Sequence, residues 1–369
     1  VSLTPLVTDR AIVVCCGSGG VGKTTTAAAL AVEAARRGRR ACVVTIDPAK
    51  RLADALGLDA LTNTAGRVDV DPSWPGELWA LMLDTKSTFD ALVSRYAGEP
   101  DQVDRILNNR MYRNIAGALS GTQEYMAMEK LFELHNEGQF DLIVIDTPPT
   151  RNALDFLDAP RRLTRFLDNR LFRLVVMPTR AYLKAVSVAT QAFLRTVSRV
   201  IGNQVVADAV AFFQAFEGME EGFRNRAQAV LELLSDPGTA FVLVAAPRRD
   251  AVDEAAFFAD RLLESGIDVD AMVVNRVHPQ FETERSGARE RSHTLAATPL
   301  GPLYANLADF GEIADREETY FGKLRDRVGK ATLARVPFLA EDVHDLAGLV
   351  TVAEYLCDDN GDGAAAASG

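Results

Sequence analysis

The chain has 369 residues, with 40 Lys plus Arg against 51 Asp plus Glu and a formal net charge of −11. That length suits one large α/β domain or two smaller ones, and the acidic balance disfavours non-specific nucleic-acid binding, which needs a basic surface. No apolar run reaches the roughly 18 residues that span a membrane, and the N-terminus lacks the charged-then-apolar pattern of a signal peptide, so the expectation is a soluble, cytoplasmic protein.

The apolar run 11–16 reads as a buried strand and leads into a glycine-rich loop, after which an Ala-rich segment from Thr24 to Arg37 reads as a helix. Further strands are expected at 41–46, 78–83, 140–146, 241–246, 270–275 and 332–336. Runs such as Leu142-Ile143-Val144-Ile145 are apolar throughout, the pattern of strands buried on both faces of a parallel sheet. Two stretches, about 85–137 and 155–236, have helical character and little strand character, and are expected to form a helical subdomain. Ser235-Asp236-Pro237-Gly238 is a turn that closes the second. Residues 277–331 are polar, and Glu282–Arg291 is expected as a loop or mobile hairpin. The whole predicts a doubly wound, mostly parallel α/β domain over 1–357 with a helical insertion, followed by a disordered tail at 358–369.

Four cysteines, Cys15, Cys16, Cys42 and Cys357, form no C-x-x-C pair and read as buried structural thiols. His135, His278, His293 and His344 are scattered and suggest no metal site.

Gly17-Ser18-Gly19-Gly20-Val21-Gly22-Lys23-Thr24-Thr25 fits the phosphate-loop pattern G-x-x-x-x-G-K-[ST], between a strand and a helix as that pattern requires. Its backbone N–H groups and the helix N-terminus favour phosphate oxygens. Lys23 would reach the terminal phosphates of a nucleoside triphosphate such as ATP, and the Thr24 hydroxyl would ligate Mg²⁺. Gly17-x-Gly19-x-x-Gly22 also fits a dinucleotide fingerprint, but that loop has no use for Lys-Thr after its last glycine. Asp146 ends an apolar strand where a Mg²⁺-side carboxylate belongs, acting directly or through water; otherwise it caps a strand-to-loop turn. Asp47 ends the second strand and either orients an attacking water or caps a helix starting near Pro48. Thr147-Pro148-Pro149-Thr150 is a proline- and hydroxyl-rich turn that ATP could order, a switch candidate.

Gly17–Thr25, Thr45-Ile46-Asp47-Pro48-Ala49 and Asp146-Thr147-Pro148-Pro149-Thr150 together resemble the arsenite-pump and guided-entry ATPases, P-loop NTPases with a variant phosphate loop; the guided-entry members deliver tail-anchored membrane proteins. The likeness extends over nearly the whole chain. It implies that Asn275, in Val273-Val274-Asn275-Arg276, contacts the adenine base, and that Pro337 and Phe338 belong to an adenine-side loop. It favours Asp47 as the water-positioning residue. It further implies an ATP-driven dimer cycle that controls a hydrophobic protein client or a membrane partner.

The chain departs from that family at Ser18, where most relatives carry a lysine that crosses to the partner's phosphates. Either the chain is a weak ATPase or silent regulator, or it pairs with a paralogue that retains the lysine. The zinc-binding C-x-x-C is missing from 277–331, so no zinc is expected, and the metalloid-binding cysteines are missing too. Runs at 111–115, Met126-Ala127-Met128 and Phe212–Phe216 with Met219 could line a client groove or form ordinary helix core. A partition or positioning ATPase is the further alternative, disfavoured by the acidic tail and charge. A nucleotide-gated electron carrier is disfavoured by the placement of the strand cysteines.

Overall fold

Long apolar runs punctuated by helices must bury both faces of each strand, and a parallel sheet between helical layers does so. The computed structural model describes residues 2–46, 51–110, 112, 122–147, 208, 211, 212, 215, 218–279 and 287–358. The chain divides into two compact units, one of Val1–Met82, Leu134–Leu154 and Ser235–Gly369, the other of Leu83–Glu133 and Asp155–Leu234.

Among the described residues the first unit contains α1 (Thr4–Thr8), β1 (Ile12–Cys16), α2 (Lys23–Arg36), β2 (Arg40–Thr45), α3 (Arg51–Ala55), β3 (Gly66–Arg67) and β4 (Glu77–Met82). The second contains α4 (Thr85–Tyr96), α5 (Pro100–Leu107), most of α6 (Thr122–Glu137), and α7 (Glu220–Leu234). The first unit resumes with β5 (Leu142–Asp146) and β6 (Thr239–Ala245), α8 (Arg249–Glu264), β7 (Ala271–Val277), α9 (Ala288–Thr294), α10 (Leu300–Val328), β8 (Thr332–Pro337) and α11 (Leu346–Cys357).

The strands form one sheet in the order β3-β4-β2-β5-β1-β6-β7-β8. All neighbours are parallel except β3 and β4. β1, β5 and β6 are buried at every position, as their uninterrupted apolar sequences require. The seven expected strands are all present; the two-residue β3 is an addition, with too few residues to carry a periodic signal. The chain leaves β1 toward β2 on one side of the sheet, and β6, β7 and β8 lie on the other. The carboxyl end of β1 is therefore a topological switch point, where α/β sheets open a crevice for ligands.

Helix α2 is the Ala-rich segment, and its small side chains let it sit close to the strands: Ala27, Ala28, Ala29, Ala31, Ala34 and Ala35 are all fully buried. Leu349, Val352, Ala353 and Leu356 of α11 join the same core. Asp345 caps α11 by accepting from the Gly348 N–H at 2.8 Å, and Asp84 caps α4 through the Ser87 N–H at 2.8 Å. Each is an ordinary Asx cap of a helix N-terminus.

The expectation of a loop or hairpin over Glu282–Arg291 is corrected at its C-terminal end, where Ala288–Thr294 is α9. Further along the polar stretch, Leu300–Val328 is a helix of 29 residues. Its buried face is Gly301, Ala308, Gly311, Ala314, Glu317, Phe321 and Leu324. Small and acidic residues fill most of that helical face, so hydropathy gives little sign of it. Residues 282–286 of the expected hairpin lie outside the described residues, as do 359–369 of the tail.

In the second unit, Tyr112, Met126, Met128, Phe212, Ala215 and Met219 are buried. Those residues of the methionine-bearing runs are core. Met111, Arg113–Ile115, Phe213, Gln214 and Phe216 lie outside the described residues. Glu129 and Arg226 form a fork in which the guanidinium Nε is 2.8 and 2.9 Å from the two carboxylate oxygens. The guanidinium also lies 3.9 Å from the centroid of the Phe132 ring.

Candidate functional site

The glycine-rich loop leaves the end of β1 at the centre of the sheet. Gly17 has φ +150°, and a Cβ there would stand 2.1 Å from the Val244 carbonyl oxygen of β6. Gly22 has φ +98°, and its Cβ would stand 2.1 Å from Asn275 Nδ2. Two of the loop's glycines are thus required by close approach as well as by backbone conformation. Gly22 is the left-handed residue that opens α2, and no side chain caps that helix end. The first-turn N–H groups of α2 present the positive end of the helix dipole to the loop.

Lys23 is buried, and its Nζ donates to the Ser18 carbonyl at 2.7 Å, folding the lysine back across the loop. Ser18 itself is buried, at 9% exposure. Asp146 ends β5 beside β1 and β2, in register with Cys15 and Thr45. Its Oδ2 accepts from Thr24 Oγ1 at 2.7 Å and from Thr45 Oγ1 at 3.0 Å. Thr147 Oγ1 donates to the Cys15 carbonyl at 2.8 Å, which pins the start of the next loop against the end of β1. Asn275, from β7, donates through Nδ2 to the Val21 carbonyl at 2.9 Å. Pro337 and Phe338 follow at the end of β8, and Phe338 is an exposed aromatic at 63%.

Lys23, Thr24, Asp146 and Asn275 therefore gather around one loop. Asp47, Pro148, Pro149 and Thr150 lie outside the described residues. Thr45 joins the site although its place in Thr45-Ile46-Asp47-Pro48-Ala49 gives it no role by itself. Its hydroxyl reaches Asp146 because β2 and β5 pair in register, and only the sheet order reveals that.

Burial, reinforced in Cys15 by neighbouring Cys16 and Asp146, pushes the Cys15 thiol well up, and burial raises Cys16 to about 12. Burial, with Glu33 nearby, also takes Cys357 to about 12. All four cysteines are buried and outside any disulfide. Cys15, Cys16 and Cys357 are thiols held neutral, not poised nucleophiles.

The residues fit a triphosphate with a divalent cation. The loop presents backbone where a Cβ cannot stand, a helix N-terminus without a cap, and one lysine. Thr24 and Asp146 form a hydroxyl–carboxylate pair of hard oxygen donors, the chemistry that suits Mg²⁺.

The family described as Anion-transporting ATPase matches residues 10–358. The chain is 25% identical over 349 residues to the ATPase GET3 of Malassezia globosa, covering 93% of this chain and 89% of that protein. It is 26% identical over 297 residues to the Arsenical pump-driving ATPase of Acidiphilium multivorum, covering 77% of this chain and 43% of that longer protein. It is 22% identical to the Putative arsenical pump-driving ATPase 1 of Aquifex aeolicus, over 94% of this chain and 79% of that protein. Among the described residues no helix is long and apolar enough to cross a membrane. A phosphate loop at the switch point of a parallel sheet, together with a match over almost the whole chain, places this protein in the ArsA/GET3 anion-transporting ATPase family of P-loop NTPases.

Proposed function

We propose that the chain binds and hydrolyses Mg–ATP, and that its nucleotide state governs its association with a second ATPase subunit and with a hydrophobic or membrane-associated client. The observation that carries the reading is the convergence on Asp146 Oδ2 of the Thr24 and Thr45 hydroxyls, at 2.7 and 3.0 Å, directly behind the loop. Thr24 and Asp146 would hold Mg²⁺. When bound, the ion supplies charge neutralisation at the β- and γ-phosphate oxygens.

The chain's own residues supply the rest. Lys23, released from the Ser18 carbonyl, would neutralise charge on the terminal phosphates. Asp47 would orient a water for in-line attack on the γ-phosphorus while the bond to the bridging oxygen breaks and ADP leaves. Asn275, Pro337 and Phe338 would hold the base. Thr147, pinned to Cys15, is the described end of the Thr147–Thr150 switch loop.

Ser18 supports pairing with a paralogue that carries a lysine at this position, because serine supplies no charge to a facing active site. Charge stabilisation supplied in trans can be worth about 10³–10⁵ in rate. The test is turnover of the wild type, Lys23→Ala and Asp47→Asn, each alone and with a lysine-bearing paralogue. An enzyme loses turnover in both variants, and heterodimer formation raises the wild-type rate. Rapid hydrolysis by the isolated chain, unchanged by the paralogue, would contradict the paired-site reading. Client binding is supported by the family match; the described methionines of the second unit are buried. A client surface made of those methionines would require them to be uncovered.

A further inference from the structure

Glu317 lies on the buried face of α10, at 9% exposure. A carboxylate in such a place is costly unless its oxygens are satisfied. Here Oε2 accepts from the backbone N–H of His278 at 2.9 Å, and Oε1 lies 2.6 Å from Nδ1 of the same residue. An ionised carboxylate only accepts, so Nδ1 is the ring nitrogen that donates to Glu317.

His278 stands immediately beyond β7, at a point where the strand departs from regular geometry. Arg276, two residues earlier, has φ +66°, the positive φ of a non-glycine residue among those described. Pairing between β7 and β8 shifts register between Asn275 and Val277. Phe338 N–H donates to the Val277 carbonyl at 2.9 Å. The His278 ring lies 6.1 Å from the Phe338 ring at an interplanar angle of 14°, and 5.9 Å from Phe310. A left-handed non-glycine residue is unfavourable and persists where its surroundings hold it; the two bonds to Glu317 are such a hold. On the other side of Arg276, Asn275 reaches the Val21 carbonyl in the phosphate loop. One buried carboxylate thus anchors the strand end from which Asn275 and Phe338 take their positions.

We propose that Glu317 and His278 are a positioning pair, holding Asn275 and Phe338 as a base-binding shelf in register with the phosphate loop. This rests on the nucleotide reading above and deepens it. A plain helix-to-strand tie would influence stability alone. The shelf reading is favoured because Phe338 and Phe310, the two rings beside His278, remain 63% and 44% exposed. Large aromatic surface is kept at this strand end, available to a planar ligand, with the His278 ring half-buried beside it and the Glu317 carboxylate largely covered.

The test uses the full chain with ¹⁵N-labelled histidine and two probes, Mg–ATP and Mg–tripolyphosphate. Long-range ¹H–¹⁵N spectra give the tautomer, and His278→Phe assigns the His278 signals by difference. The wild type should show the proton on Nδ1. In Glu317→Gln the amide can still accept from the backbone N–H, but its NH₂ donates to Nδ1 and moves the ring proton to Nε2. Both variants should weaken ATP binding roughly tenfold, about the worth of one hydrogen bond to a charged group, and leave tripolyphosphate affinity within about twofold, because that ligand has no base. Equal losses for both ligands, or unchanged ATP binding with the tautomer moved, would overturn the proposal. If the wild type binds neither probe, the nucleotide reading itself fails. If ATP binding depends on Lys23 but is indifferent to Glu317 and His278, only the positioning pair fails.

Discussion

Alanine substituted in turn at Gly17, Gly20 and Gly22 should separate steric from conformational demands within one loop. At Gly17 the new Cβ would meet the Val244 carbonyl oxygen at 2.1 Å and its carbon at 3.1 Å, at φ +150°. Val244 is locked in β6 between β1 and β7, so the obstacle is backbone and cannot swing aside. Overpacking of about 1–3 kcal/mol adds to an unfavourable φ of about 1–3 kcal/mol, giving a loss of about 2–6 kcal/mol. At Gly22 the obstacle is the Asn275 amide, a side chain that can rotate away at the expense of its 2.9 Å bond to Val21. The expected loss is about 2–4 kcal/mol. At Gly20, φ is +73° but nothing lies within 4 Å, so only the backbone term remains. That is about 1–2 kcal/mol. Urea unfolding followed by tryptophan fluorescence reads this directly, since Trp74 and Trp79 are both in the unit that carries the loop. The order of loss should be Gly17, then Gly22, then Gly20. A neutral Gly17→Ala, or a Gly20→Ala as damaging as Gly17→Ala, would refute the close approaches on which the site is built.

Asp146→Asn should abolish the Mg²⁺ dependence of ATP binding while leaving the free protein's stability unchanged or slightly raised, because a buried charge is removed and Thr24 and Thr45 keep an acceptor; titration calorimetry and thermal unfolding check both. In the helical unit, Glu129→Ala should cost about 3–5 kcal/mol by stranding Arg226, and the pair Glu129→Leu with Arg226→Met should recover most of it, measured by urea unfolding. Native Cys15, Cys16, Cys42 and Cys357 should resist alkylation at pH 8 and label after denaturation, since all four are buried. For Cys16 and Cys357 the folded thiol ionises near 12 against 9.0 in the open chain. Between those values the unfolded chain holds fewer protons than the folded one, so stability should fall as pH rises from about 9 to 12; a flat profile would contradict the burial.

Much of this molecule is local in sequence, and that part was readable. Lys23, Thr24 and the loop glycines sit within one strand–loop–helix unit, so their relation to one another is set by a few consecutive residues. β1, β5 and β6 could be read because burial on both faces leaves an unbroken apolar run. The parts that escaped depend on tertiary pairing. Thr45 reaches Asp146 through the register of β2 on β5, and Asn275 meets the Val21 carbonyl across 254 residues of chain. Helix α10 escaped because Gly311, Ala314 and Glu317 replace the large apolar residues that mark a buried face. Met126, Met128 and Met219 show the converse: apolar runs that suit a groove or a core alike, and are core among the described residues.

The central claim, that this loop with Thr24 and Asp146 forms a Mg–ATP site, is tested most directly by calorimetric titration of ATP with and without Mg²⁺ into the wild type and Lys23→Ala. The account predicts Mg²⁺-dependent binding by the wild type that Lys23→Ala weakens by at least roughly a hundredfold, the loss of a buried charge facing phosphate. Binding of equal strength in the two proteins, or binding indifferent to Mg²⁺, would contradict it.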